Sequence, residues 1–215
     1  MPKPKIMKTL VIVTVSLAAI QLLRFGFGRL CYLFVTREAQ TDHIINGIFF
    51  ILALVVMLVA LRKRNIHIHM LPDLSKTWAK VGYAIATVIT LLLMVLGMLL
   101  TGQANAEAIM ILIYGTIFTP LFEEVLFRGI VWNRLEETDL PQWAIFITVT
   151  ILFGLWHLGY VDSIAWRIDG NLLWAMTMKV IVGLAVGVLT GLARWKSKSV
   201  YPAILAHAIW NTFGR

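Results

Sequence analysis

This sequence consists mainly of apolar runs that are about as long as a bilayer is thick. Short polar connections separate these runs. The runs cover residues 9–23 (with an extension toward 34), 44–61, 81–101, 106–132, 143–158, 172–195 and 200–213. A helix needs about 17–25 residues to cross the hydrocarbon, and only the fifth and seventh runs fall about a turn short of that. A content of 60% hydrophobic and 14% charged residues is typical of a membrane protein. We therefore predict an all-α, polytopic integral membrane helical bundle with about seven transmembrane helices.

The basic residues lie unevenly on the two sides that this topology defines. With the N-terminus in the cytoplasm, 12 of the 19 lysines and arginines fall in inner connections, five fall outside and two lie within spans. This asymmetry follows the positive-inside rule, so we predict a cytoplasmic N-terminus. It also accounts for the net charge of +8 without a nucleic-acid partner. The expected surroundings are the lipid bilayer.

Two glutamates, Glu123 and Glu124, lie inside the fourth apolar run. The other nine acids, Asp42 among them, fall in predicted polar connections. A charge at the bilayer centre costs about 2.5–3.5 kcal/mol on insertion scales, so such residues usually face the bundle interior and mark a site. Glu124 and Arg128 are four residues apart and share a helix face, which predicts a structural ion pair. The side chain of Glu123 points about 100° away from that face. We predict that this residue takes part in the chemical reaction of the site.

Two of the five histidines fall in or beside later apolar runs. His157 closes the fifth run, and His207 lies four residues before Asn211 in the seventh, so that these two side chains share a face. Polar groups on three apolar helices need partners in one cavity. A carboxylate and an imidazole can deprotonate a water, while a second imidazole and an amide can donate to a developing oxyanion. These groups suffice to hydrolyse a peptide bond inside a membrane.

The sequence leaves two hydrolytic mechanisms open. It contains no Gly-x-Ser-Gly pattern, no H-E-x-x-H zinc signature and no aspartate in an apolar run, and its one cysteine, Cys31, is far from these residues. Glu123, His157 and His207 are a plausible ligand set for a divalent metal such as zinc, with one open position. We expect instead a metal-free reaction that requires no cofactor.

Three short motifs occur in order on separate hydrophobic segments: E-E-x-x-x-R (Glu123, Glu124, Arg128), F-x-x-x-H (Phe153, His157) and H-x-x-x-N (His207, Asn211). This arrangement resembles the CPBP family of intramembrane proteases, also called the ABI family, which comprises CAAX proteases and bacteriocin-processing enzymes. The likeness covers about residues 106–212. The resemblance implies that Glu123 and His157 activate water and assigns the oxyanion site to His207 and Asn211. It implies a supporting role for Glu124, Arg128 and Phe153.

We therefore expect an intramembrane endopeptidase that acts on a peptide or protein substrate at the membrane. Residues 1–104 would carry the first three helices, and residues 105–215 the protease core. The short basic chain is typical of a bacterial member in the plasma membrane, where the family suggests CAAX-type, bacteriocin or peptide-signal processing, or self-immunity. One alternative is a non-catalytic peptide-binding or bacteriocin immunity protein with the same pocket. A less favoured alternative is a proton-coupled transporter, in which these groups form a relay.

Overall fold

The computed structural model describes residues 4–100 and 105–213, and every regular element in these ranges is helical. The helices are α1 (Pro4–Cys31), α2 (Ala39–Lys63), α3 (Thr77–Leu100), α4 (Ala106–Glu136), α5 (Gln142–Arg167), α6 (Leu172–Ser197) and α7 (Tyr201–Phe213). The all-α, polytopic prediction is confirmed.

The number of membrane-spanning helices is smaller than predicted. In the described ranges, α1 to α6 are long and apolar enough to cross a membrane. Helix α7 has 13 residues and is about 20 Å long, which is less than the roughly 30 Å of hydrocarbon. The prediction of about seven spans is therefore corrected to six and one short helix. The predicted cytoplasmic N-terminus stays a prediction, and the predicted domain boundary at residue 104 lies outside the described residues.

Helix α5 is longer than the apolar run that predicts it. The run ends at residue 158, but the chain passes through a tight 3₁₀ turn at His157–Tyr160 and remains helical to Arg167. The last two turns are polar enough to interrupt the hydropathy pattern without ending the helix. As a result, α5 carries a histidine in its middle rather than at its end.

The connections between helices meet at two ends of the bundle. At one end, Arg167 of α5 forms an ion pair with Asp42 in the first turn of α2. This end is termed the cavity end. At the other, the far end, the backbone N–H of Val200 donates to the carbonyl of His69 at 3.0 Å. The two contacts join α2 to α5 at the cavity end and the α2–α3 connection to the α6–α7 connection at the far end.

Helix α4 runs through the core, and its side chains Phe122, Phe127 and Trp132 are completely buried. Two π-helical segments, Tyr114–Phe118 and Val125–Val131, interrupt this helix. Such segments are rare and frequently occur at functional sites. The α-helical stretch between them carries both glutamates of the E-E-x-x-x-R motif.

Glycines on α6 allow this helix to approach α5 closely. A Cβ atom added to Gly191 would lie 2.8 Å from Cε2 of Phe146, and one added to Gly187 would lie 3.2 Å from Cγ2 of Thr150. Small residues let helix backbones pack together in lipid, where no hydrophobic effect drives their association. Gly187 and Gly191 therefore form a packing surface on α6 for α5.

Candidate active site

A cavity of about 340 Å³ lies within the bundle toward the cavity end. The side chains of Glu123, His157, His207 and Asn211 all line it. They come from α4, α5 and α7, and the first three are only 1%, 8% and 3% exposed. The structure thus brings all four predicted catalytic side chains to one cavity.

The carboxylate of Glu123 is held by one of its two oxygens. Oε1 accepts hydrogen bonds from Nε1 of Trp156 at 2.9 Å and from the hydroxyl of Tyr160 at 2.7 Å. Oε2 is buried without a hydrogen-bond partner among the described residues, and it lies 4.0 Å from Nε2 of His207. Oε2 is therefore the carboxylate oxygen of Glu123 to which none of the described residues donates a hydrogen bond.

Neither Trp156 nor Tyr160 was predicted to belong to the site. Aromatic residues near the end of an apolar run normally indicate the membrane interface. Their four-residue spacing around His157 is the signal that could have identified them, because it puts two polar-tipped aromatic side chains on one helix face.

Glu124 and Arg128 form the ion pair that their spacing predicts, and both are completely buried. Nε of Arg128 lies 3.2 Å from Oε2 of Glu124, although this contact is not aligned as a hydrogen bond. Nη1 donates to Oε1 at 3.4 Å. The guanidinium group also donates to the carbonyl of Gly187 at 3.0 Å and lies 4.3 Å from the centre of the Phe153 ring. Arg128 thereby connects α4 to α5 and α6.

The imidazole of His207 lies between the two glutamates. Its Nδ1 is 2.8 Å from Oε1 of Glu124, and its Nε2 faces Oε2 of Glu123. Because a carboxylate only accepts, Nδ1 carries a proton. The ring edge also packs against Phe153, with 5.8 Å between the ring centres. Glu124 and Phe153 thus fix the ring with Nε2 directed at Glu123.

The imidazole of His157 is held by its own helix. Nδ1 lies 2.8 Å from the carbonyl oxygen of Phe153, so this nitrogen carries the proton and Nε2 of the neutral ring is an acceptor. Gly183 of α6 makes room for the ring, since a Cβ there would lie 2.6 Å from Nδ1. A larger residue at that position would collide with the imidazole.

Asn211 is anchored by a backbone carbonyl of α4 that has no hydrogen-bond donor within α4. In the first π-helical segment, the N–H of Thr119 donates to the carbonyl of Tyr114, five residues back. The next donor in this pattern would serve the carbonyl of Gly115, but it is Pro120, which has no N–H. Nδ2 of Asn211 donates to that carbonyl at 2.7 Å. One N–H of the amide is therefore used for anchoring, and the second remains for the cavity.

The expectation that Asp42 lies in a polar connection is wrong. It lies in the first turn of α2, is 2% exposed and lines the same cavity. It pairs with Arg167 and accepts hydrogen bonds from the hydroxyls of Tyr32 at 2.5 Å and Ser163 at 3.1 Å. Burial and the neighbouring carboxylate raise the pKa of Tyr32 well above its usual value, so the phenol remains a donor. The chain thus neutralises this buried acid with partners from two segments, the α1–α2 connection and α5.

A metal ion in the cavity would have to be held through Nε2 of His157 and Nε2 of His207. Nδ1 of His157 and Nδ1 of His207 are each occupied by a protein acceptor. In the described part of the chain, no three His, Cys, Asp or Glu side chains are grouped so that they could hold a metal ion.

The six membrane-length helices and the Glu, His and Asn side chains that line one cavity define a multi-pass membrane protein with a polar site inside its bundle. The family model described as type II CAAX prenyl endopeptidase Rce1-like matches residues 104–213, slightly more than half of the chain. The chain belongs to this family of membrane proteases, and the predicted CPBP/CAAX protease membership is confirmed. No curated protein and no solved structure matches the chain.

Proposed function

We propose that this chain is an intramembrane endopeptidase in which Glu123 is the base that activates water. The observation that supports the proposal is that Glu123 lines the cavity and that its Oε2 is buried without a hydrogen-bond partner among the described residues. Two hydrogen bonds to Oε1 hold the carboxylate in this orientation. A base fixed at hydrogen-bond distance from a water is the first requirement of general base catalysis.

In the proposed reaction, a water binds between Oε2 of Glu123 and Nε2 of His157. The water transfers a proton to Glu123 while its oxygen bonds to the carbon of the scissile peptide, and the carbonyl electron pair moves to oxygen. The tetrahedral intermediate then collapses, the C–N bond breaks, and Glu123 returns the proton to the leaving amine. Water is consumed, and no covalent intermediate with the protein forms.

His207 and Asn211 are proposed to stabilise the oxyanion. Because Nδ1 of His207 donates to Glu124, its Nε2 donates to the oxyanion only when the ring carries both protons. The second N–H of the Asn211 amide supplies another donor. Loss of one such donor typically lowers the rate about 10²- to 10³-fold.

The proposed substrate is a peptide anchored to the membrane, because the catalytic cavity lies between membrane-length helices. The family description names prenylated CAAX substrates, and a prenylated CAAX-type peptide is the first candidate. Bacteriocin or peptide-signal processing and self-immunity in a bacterial plasma membrane would involve substrates of the same class, peptides anchored to the membrane.

The decisive experiment compares the wild type with Glu123→Gln after reconstitution into liposomes. Both are incubated with a prenylated CAAX peptide and with an unmodified peptide library, and mass spectrometry locates any cut. We expect cleavage by the wild type and a loss of at least about 100-fold in the variant. Glu137→Gln is the matched control, because the Glu137 side chain is 53% exposed and lies outside the cavity.

A fully active Glu123→Gln variant would contradict the assignment of the base. Peptide binding by the wild type without any cleavage would favour the alternative of a non-catalytic binding or immunity protein. Treatment with EDTA or phenanthroline separates the two hydrolytic mechanisms. We expect activity to persist, whereas a loss that zinc restores would make Glu123, His157 and His207 candidate ligands.

A further inference from the structure

Helix α1 carries none of the three sequence motifs, but it contains a buried arginine. Arg24 is 3% exposed and lies within α1, directly after the apolar run that predicts this helix. A charged side chain in a membrane-length helix is costly, and it usually faces the bundle interior and marks a site. Arg24 is not among the side chains that line the candidate active-site cavity. Any effect of Arg24 on a reaction there must therefore pass through the groups that it contacts.

The guanidinium group of Arg24 holds the part of α5 that carries Tyr160. Nη2 donates to the carbonyl of Gly159 at 2.6 Å and to Oδ1 of Asp162 at 3.1 Å. These two residues precede and follow Tyr160 in the chain. The guanidinium carbon also lies 4.8 Å from the centre of the Tyr160 ring, which is within the range of a cation–π contact. Arg24 thus contacts both the ring of Tyr160 and the backbone beside it.

Gln21, one turn earlier in α1, holds the residue that precedes the 3₁₀ turn. Its Nε2 donates to the carbonyl of Trp156 at 3.0 Å, and its Oε1 accepts from Nε of Arg24 at 2.8 Å. A Cβ atom added to Gly159 would collide with the Gln21 side chain. Helix α1 is therefore packed directly against this turn of α5.

The segment that α1 holds is the one that orients the proposed base. Trp156 and Tyr160 donate the two hydrogen bonds to Oε1 of Glu123. Gln21 bonds to the backbone of the first donor, and Arg24 lies against the ring of the second. The directions of both donors therefore depend on α1. A displaced Tyr160 would leave the Glu123 carboxylate held by fewer bonds and free to rotate.

Helix α2 fixes Arg24 from another side. Nη1 of Arg24 donates to Oδ1 of Asn46 at 2.7 Å, and Nδ2 of Asn46 donates to the carbonyl of Asp42, also at 2.7 Å. The guanidinium group thus uses its planar array of donors on α1, α2 and α5 together. A lysine has one nitrogen with three donors on a flexible stem and cannot reproduce this array.

We propose that Arg24 is a positioning residue, which fixes Tyr160 and, through it, the carboxylate of Glu123. This inference rests on the proposed endopeptidase function. Because Arg24 lies outside the cavity that would hold the peptide, its loss should change kcat and leave KM nearly unchanged. An arginine that only joined helices would change the unfolding midpoint, but not the kcat of the folded protein.

The experiment is a double-mutant cycle of Arg24→Met and Tyr160→Phe in liposomes, with rates normalised to folded protein. We expect Arg24→Met to lower kcat at least about 10-fold, since a misplacement of 1 Å can cost about 10²-fold. In the Tyr160→Phe background, the same substitution should lower kcat less than about 3-fold, because the hydroxyl that Arg24 positions is already absent. Arg29→Met, at an exposed position of the same helix, is the matched control and should keep the wild-type kcat.

Arg24→Lys is the conservative variant. It keeps a positive charge and some of the donors, so its kcat should lie between those of Arg24→Met and the wild type. If Arg24→Met does not fold, Arg24→Lys and its combination with Tyr160→Phe provide the same cycle.

Infrared difference spectra give a readout that needs no turnover. Subtraction of the Glu123→Gln spectrum isolates the carboxyl bands of Glu123, which respond to hydrogen bonds at Oε1. In Arg24→Met these bands should shift in the same direction as in Tyr160→Phe.

Three results would each overturn the proposal: unchanged bands in Arg24→Met, a wild-type kcat of the folded variant, or equal losses of kcat with and without the Tyr160 hydroxyl. A shift of the bands together with a wild type that cuts no peptide would support the positioning of Glu123 by Arg24 and refute the endopeptidase.

Discussion

Nδ1 of His207 lies 2.8 Å from Oε1 of Glu124. The same carboxylate is paired with Arg128, so a neutralised acid orients the imidazole while its neighbour, Glu123, faces the cavity. Adjacent positions on a helix are about 100° apart, which is why two consecutive glutamates have different surroundings. Within one helical turn, Glu124 therefore has the supporting role and Glu123 has the proposed chemical role.

Arg128→Ala is expected to destabilise the protein severely. The substitution leaves the fully buried Glu124 carboxylate without its cation, and breaking a buried pair on one side typically costs about 3–5 kcal/mol. The thermal unfolding midpoint in detergent measures the effect. The double variant Glu124→Gln/Arg128→Ala is the control, because it removes both charges and should recover part of the loss. An unchanged midpoint for the single variant would refute a stabilising role for the pair.

Tyr160→Phe is expected to lower kcat roughly 10- to 100-fold with little effect on KM. The hydroxyl donates to Oε1 of Glu123 at 2.7 Å, and a hydrogen bond to a charged group contributes about 1.5–3 kcal/mol. Without it, the carboxylate keeps only the bond from Trp156 and is held less firmly toward the cavity. Tyr83→Phe in α3, away from the cavity, is the matched control. A Tyr160→Phe enzyme with unchanged kcat would remove Tyr160 from the catalytic arrangement.

The polar side chains of the site were predictable because they stand out against apolar runs. Glu123 and His157 each carry an insertion cost that demands an explanation. The side chains that orient them were harder to identify. Trp156 and Tyr160 are normal residues for the end of a membrane helix, and only the packing of α5 against α4 directs their polar atoms at Glu123.

Asp42 shows why the boundaries of the membrane helices were less predictable than their existence. In the sequence it belongs to a polar stretch, and its burial depends on Arg167, 125 residues away. A hydropathy pattern contains no information about such a pairing. The same pairing accompanies the extension of α5 beyond the apolar run, since Arg167 lies in the last turn of that helix.

Gly183→Ala is expected to reduce activity at least about 10-fold while the protein remains folded. The added Cβ would lie 2.6 Å from Nδ1 of His157, so the ring must move away from the carbonyl that fixes its orientation. Gly82→Ala in α3 is the matched control, because nothing lies within 4 Å of its added Cβ. Activity and unfolding midpoint are measured for both variants. Full activity of Gly183→Ala would show that the exact position of His157 does not matter for the reaction.

Labelling of Cys31 tests the predicted cytoplasmic N-terminus. The residue ends α1 at the cavity end of the bundle and is partly exposed. If the N-terminus is cytoplasmic, α1 carries Cys31 to the outer side, and a membrane-impermeant maleimide added to intact cells should label it. In Cys31→Ser/Ser75→Cys, the thiol lies in the α2–α3 connection at the far end and should react only after permeabilisation. The opposite pattern would reverse the topology. Because the candidate active-site cavity lies toward the end that Cys31 marks, the result also shows from which side of the membrane a peptide would reach Glu123.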